Sequence, residues 1–135
     1  MAEFLHKRRV VFCIVAVFAA SVGIYLAFFH NSVNGDFADQ VSVRFAYADS
    51  DVELTITDED DIVALKKILR GRSFEDSPAC GFSNRISVTM SNGKRGVVFC
   101  PANDSCPIVR VGDSDRYIYI SEEQRGILDG ILGKY

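Results

Sequence analysis

The chain has 135 residues, of which 48% are hydrophobic, and carries 18 Asp and Glu against 15 Lys and Arg for a formal charge of −3. That length fits one domain, and the acidic balance with no clustered basic face excludes nucleic acid as a partner. The hydrophobic excess is concentrated in one place, residues 10–29, a run of 20 residues without a charge.

At about 1.5 Å per residue that run is roughly 30 Å long as a helix, the thickness of a bilayer core. Lys7, Arg8 and Arg9 precede it, and the first charges after it are Asp36 and Asp39. The positive-inside bias therefore predicts a cytoplasmic basic start at 1–9, a transmembrane helix at 10–29 contacting the lipid bilayer, and everything later outside the cytoplasm. The competing reading is a cleaved signal peptide, with the small residues around Ala19 and Ala20 as a weak processing site and a secreted product. Ile24, Leu26 and Phe29 continue the apolar run past that point and favour the uncleaved anchor. Cys13 reads as a small apolar residue within the span.

Residues 30–40, HNSVNGDFADQ, are polar, aperiodic and contain an Asn-Gly step, so they read as a flexible tether. The exported part from residue 30 onward has 17 acids (18 less Glu3) and 12 bases (15 less Lys7, Arg8 and Arg9), a formal −5. Residues 41–135 are enough for one modest core.

Val41, Val43, Phe45 and Tyr47 alternate with Ser42, Arg44 and Ala46, and Val52, Leu54 and Ile56 repeat the pattern after a turn-like ADSD. This predicts a hairpin of half-buried strands. Thr57 is then expected to cap a helix of about 13 residues, in which Asp58–Asp61 crowd the first turn, Ile62, Leu65, Ile68 and Leu69 form the stripe, and Gly71 ends it. A loop through Cys80 follows, with Phe74 as its anchor. Residues 85–100 carry a hairpin signal with Asn92-Gly93 as the central pair, which sets Val88 against Val97, Ile86 against Phe99 and Arg85 against Cys100. One or two strands broken at GDSD, 112–115, lead to a last helix with Ser121 as cap, Gln124 as reciprocal partner and Ile127, Leu128, Ile131 and Leu132 as its stripe. The fold class is α+β, an N-terminal transmembrane helix followed by a two-layer domain with an antiparallel sheet of four to six strands and two helices on one face.

The chemistry is limited by histidine. His6 and His30 both border the apolar run, so the domain holds none, which removes Ser-His-Asp and Cys-His hydrolysis and the usual His-containing zinc sites. Asp58–Asp61 and Asp49–Glu53 fail the EF-hand pattern, because the loop counted from Asp49 has Leu54 where glycine is required. No phosphate loop, nucleophile elbow or dinucleotide fingerprint is present, and no cofactor or metal is expected.

Cysteine carries the strongest signal. Cys80, Cys100 and Cys106 fall in the exported part, where thiols oxidise, and three leaves one over. Cys80 with Cys106 is favoured because it closes the longest loop, with Cys80–Cys100 and Cys100–Cys106 as alternatives. A three-cysteine metal site would need Asp104 as fourth ligand. Asn103–Ser105 also fits the glycosylation pattern.

The function expected is a non-enzymatic binding module in the cell envelope, partnered by another envelope or secreted protein through Asn103, Asp104, Tyr117 and Tyr119. An inhibitor or immunity-type protein using the stapled loop as a plug is the alternative. A carboxylate- or thiol-dependent enzyme ranks last.

Overall fold

The computed structural model describes residues 2–29, 31–76 and 78–135, and within the first helix the side chains from 11 to 26. The chain divides into two compact units, Met1–Ser32 and Val33–Tyr135. The first is α1 (Ala2–Phe29), a 28-residue helix. Its side chains Phe12, Ile14, Val17, Phe18, Ile24 and Leu26 are all exposed, so the helix is apolar around its whole circumference. Ser21 Oγ donates its hydrogen bond to Val17 O at 2.8 Å, back along the helix. Among the described residues no helix is long and apolar enough to cross a membrane. Val10, Ala27, Phe28 and Phe29 of the expected span lie outside the described side chains, and His30 outside the described residues.

The second unit is α+β. Six antiparallel strands run in the order β3-β2-β5-β6-β7-β8, formed by β2 (Gln40–Ala46), β3 (Asp51–Ile56), β5 (Ile86–Ser91), β6 (Gly96–Pro101), β7 (Ile108–Val111) and β8 (Tyr117–Tyr119). The two-residue strands β1 (Ser32–Val33) and β4 (Gly71–Arg72) stand outside this sheet. Alternation decides which face is buried. The row Leu54, Val43, Val88, Phe99, Val111 crosses five strands in register, and Val43, Val88 and Phe99 are fully buried. α2 (Glu59–Ile68) and α3 (Glu122–Leu132) bring Leu65, Ile68, Leu128, Ile131 and Leu132 into that same core.

The β5–β6 register is two residues away from the expected one. Val88 pairs with Phe99 and Met90 with Val97, so Ser87 stands opposite the position next to Phe99, Cys100. The expected two-residue turn is replaced by a four-residue loop, 92–95, because Asn92 Oδ1 accepts from the amides of Lys94 and Arg95 at 3.2 and 3.0 Å. Gly93 supplies the positive φ, 74°. A slip of two preserves the pleat, so every side chain stays on its expected face.

Both helices are capped by side chains. Ser121 and Gln124 form the reciprocal box expected for α3. For α2 the cap is Asp58 rather than Thr57: its carboxylate accepts from Asp60 N and Asp61 N, a charged acceptor at the positive end of the helix. The helix spans 10 residues, not 13, and closes at Leu69, whose amide reaches Leu65 O, while Gly71 enters β4. The expected tether is ordered from Val33: Val33 and Ala38 belong to the core, and the Arg95 guanidinium lies 4.3 Å from the centre of the Phe37 ring. Those three apolar residues outweigh the polar composition around them.

Asp61 is buried in the first turn of α2 and accepts from Lys134 Nζ at 2.6 Å and Tyr135 OH at 3.3 Å. The Asp61 hydrogen bond raises the Lys134 pKa, and burial followed by the Asp61 charge raises that of Tyr135. Both groups therefore bind their protons more tightly when folded. Their contribution is complete below the ordinary lysine and tyrosine values of 10.5 and 10.0 and is lost as pH rises through the raised ones. Denaturant midpoints measured against pH should stay flat through neutrality and fall above about pH 10. Asp61→Asn should flatten the lysine part of that alkaline slope, leave the part of the tyrosine shift that burial causes, and lower stability at neutral pH.

Candidate functional site

The sheet face opposite the helices carries Cys100, Arg110 and Tyr117 in one row across β6, β7 and β8. A sheet end with this much side chain needs cover, and the segment 73–84 supplies it. Phe74 exchanges both backbone hydrogen bonds with Tyr117 at 2.9 Å, which pairs part of the edge of β8. Its ring stacks on Tyr119 at 4.3 Å and lies 5.7 Å from Tyr117, while Phe82 approaches Tyr117 at 5.2 Å. The Arg110 guanidinium sits 6.0 Å from the Phe82 ring centre and donates to Asn84 Oδ1. Arg116 reaches Ser73 Oγ at 2.8 Å.

Cys80 and Cys106 are joined in a disulfide with their Cα atoms 6.2 Å apart, which ties this covering segment to the β6–β7 loop. Hydrogen bonds reinforce the staple. Asn103 N donates to Gly81 O at 2.9 Å, Ser83 Oγ to Asn103 Oδ1 at 2.8 Å, and Gly81 N to Asp104 Oδ2 at 3.4 Å. Ser105, at φ 60°, turns the loop so that Cys106 faces back. From below, the buried Arg125 of α3 donates to Cys106 O at 2.7 Å and Ala102 O at 2.9 Å, and its Nε is held by Asp129 at 2.9 Å. An open groove of about 530 Å³ runs beside this corner, with Arg85, Ile86, Pro101, Asn103, Asp129 and Leu132 among its walls.

The expected interaction residues separate. Tyr119 is 65% exposed, Tyr117 is buried at 6%, and Asn103 and Asp104 are exposed yet bonded to the opposite segment of the corner. Of the acids at 58–61, Asp58 caps α2 and Asp61 holds Lys134 and Tyr135. Among the described residues the one group with metal-ligand spacing is Cys80, Asp104 and Cys106. No family model, curated protein or solved structure matches the chain.

Arg125 was invisible as a functional residue in the sequence, although one signal existed. It stands three residues before Leu128 and seven before Leu132, so it shares the buried stripe, where a charge needs a fixed partner. Phe82 and Asn84 had no signal, since they fall in an aperiodic loop.

Cys100, the thiol left over, is 2% exposed beneath this cover, with its sulfur 4.0 Å from Asn84 Oδ1. Burial pushes its thiol pKa up, and the Arg110 charge only partly offsets that. It is thus a shielded thiol of low reactivity. Thiol titration of the denatured chain without reductant should count two, Cys13 and Cys100, and four after reduction. Under native conditions Cys100 should react at the rate of opening of its covering segment, many times slower than in the denatured chain.

Proposed function

We propose that the chain is a single-pass anchored protein of the cell envelope whose 33–135 unit is a binding module, with its N-terminus in the cytoplasm. Three features support the anchor: 20 consecutive uncharged residues, the Lys7–Arg9 flank, and a helical backbone continuous from Ala2 to Phe29. The binding reading rests on one observation, the exposed Tyr119 stacked at 4.3 Å on Phe74 beside a corner closed by a disulfide and by Arg125. A large aromatic held in one orientation loses little entropy on binding, and tyrosine with that preorganisation is what anchors protein interfaces. The partner is another envelope or secreted protein.

A photo-crosslinking residue at position 119, compared with one at the exposed Thr55 on the far edge of the sheet, tests this in cells. Position 119 should give one discrete adduct, and Phe74→Ala, which removes the stacking partner, should weaken it severalfold. Equal adducts from both positions, or none, would overturn the proposal. An adduct with a secreted enzyme would favour the inhibitor form of the same reading.

A further inference from the structure

We propose that the stapled corner is a redox-gated site for a thiophilic divalent cation, Zn²⁺ being the best fit, formed by Cys80, Cys106 and Asp104 once the disulfide is reduced. The two sulfurs and a carboxylate oxygen of Asp104 all lie within 4.8 Å of one another. Three donors around a tetrahedral ion with bonds of about 2.0–2.3 Å stand between 3 and 4 Å apart, so opening the S–S bond moves the sulfurs towards ligand spacing rather than away from it.

The corner does not depend on the disulfide alone to keep these donors together. The bonds from Asn103 N to Gly81 O, from Ser83 Oγ to Asn103 Oδ1 and from Arg125 to Cys106 O involve neither sulfur, so reduction removes none of their donors or acceptors. Asp104 is aimed by the two cysteine-bearing segments themselves, since its oxygens accept from Gly81 N and Cys106 N, each at 3.4 Å. Those bonds are long, and a cation offers the carboxylate a stronger partner at little cost. Asp104 and Ser105 are exposed, which leaves the fourth position to water.

The chemistry balances with a dithiol or phosphine reductant. Two electrons and two protons convert the disulfide to two thiols as the reductant is oxidised. Metal binding then releases both protons, and two thiolates with one carboxylate leave the site at −1 around a 2+ ion. Thiolate donors select zinc-like ions over calcium or magnesium. Oxidation reverses the sequence: the sulfurs give up two electrons to the oxidant, the S–S bond forms and the ion leaves. Metal and disulfide are thus exclusive occupants of one corner.

The test uses the full chain in detergent, with Zn²⁺ measured by competition against a chromophoric chelator and Co²⁺ as a spectroscopic stand-in. After phosphine reduction the chain should bind one ion per molecule, with sulfur-to-cobalt charge-transfer absorption, and the oxidised chain should bind none. Asp104→Asn should weaken binding at least tenfold, Cys80→Ser should abolish it, and Cys100→Ser should leave it unchanged. Binding that is indifferent to oxidation state or to Asp104→Asn, or that is lost in Cys100→Ser, would overturn the proposal, as would no binding at micromolar metal. If the reduced apo chain loses its near-ultraviolet circular dichroism, Zn²⁺ should restore it, and uptake of the ion without that recovery would mean an unfolded chain supplies the ligands and would equally overturn it.

Discussion

Replacing Arg125 by leucine should lower the stability of the 33–135 unit by about 3 kcal/mol, read as a shift in the urea midpoint at constant slope. The leucine keeps most of the apolar bulk, so the loss is polar in origin. Cys106 O and Ala102 O each lose a charged donor, and the bond to Ala102 O is fully buried. A buried acceptor left unpaired costs about 1–3 kcal/mol, and more when its donor was a cation. Asp129→Ala should do far less, below about 1 kcal/mol, because the carboxylate is 43% exposed and its pair with Arg125 is a helix-surface contact on that side. Arg125→Lys should fall between the two, since a single ammonium lacks the planar fork that meets two carbonyls and a carboxylate together.

Opening the staple with Cys80→Ser and Cys106→Ser should cost a similar amount. The bridge joins positions 26 apart, and the loop-entropy model assigns about 3.5 kcal/mol to a closure of that length. Thermal unfolding should show it as a fall of roughly 15–25 °C for a domain of this size. The sheet itself should persist, because its core row of Val43, Val88 and Phe99 lies on the other face from the covering segment. The visible change should be at Cys100, which becomes more reactive in the native state because the unstapled covering segment opens more often. Combining the serines with Arg125→Leu should be less than additive, since both act on Cys106 and the loop it belongs to.

Legibility in the sequence followed the range of each physical signal. Alternation of period two is local, so the faces of β2, β3, β5 and β6 were readable, as was the Ser121–Gln124 box, which needs only four residues. The hairpin register required knowing how many residues the turn holds. Asn92-Gly93 implied two, and the Asn92 side chain, by bonding amides further along, made it four. The disulfide is set outside the ladder. The turn at 102–107, closed by Ala102 N to Ile108 O, brings Cys106 to the segment that carries Cys80, where Asn103 N meets Gly81 O.

The long-range packing was not readable. Phe74 was readable as the anchor of its loop, but not that it docks on Tyr117 and Tyr119 or that Phe82 and Asn84 cover Tyr117 and Cys100, because an aperiodic segment has no face to assign. Thr57 lost the cap to its neighbour since both are good capping residues and the difference lies in where the helix axis starts. Val33 and Ala38 entered the core from a stretch whose composition read as solvated. The buried Arg125 is the counterpart on the helix side, a charge whose partners are backbone carbonyls that only the fold brings near.

The central claim is that residues 10–29 hold the chain in a bilayer and present the stapled unit outside the cytoplasm. A membrane-impermeant amine reagent applied to intact cells producing the full chain, followed by peptide mapping, addresses it directly. Lys67 and Lys94 are exposed on the domain, and Lys7 precedes the apolar run. The expected result is modification at Lys67 and Lys94 but not at Lys7, on a chain that stays in the membrane pellet through alkaline carbonate washing. Modification of Lys7, labelling of the domain only after lysis, or release of the chain into the wash would contradict it.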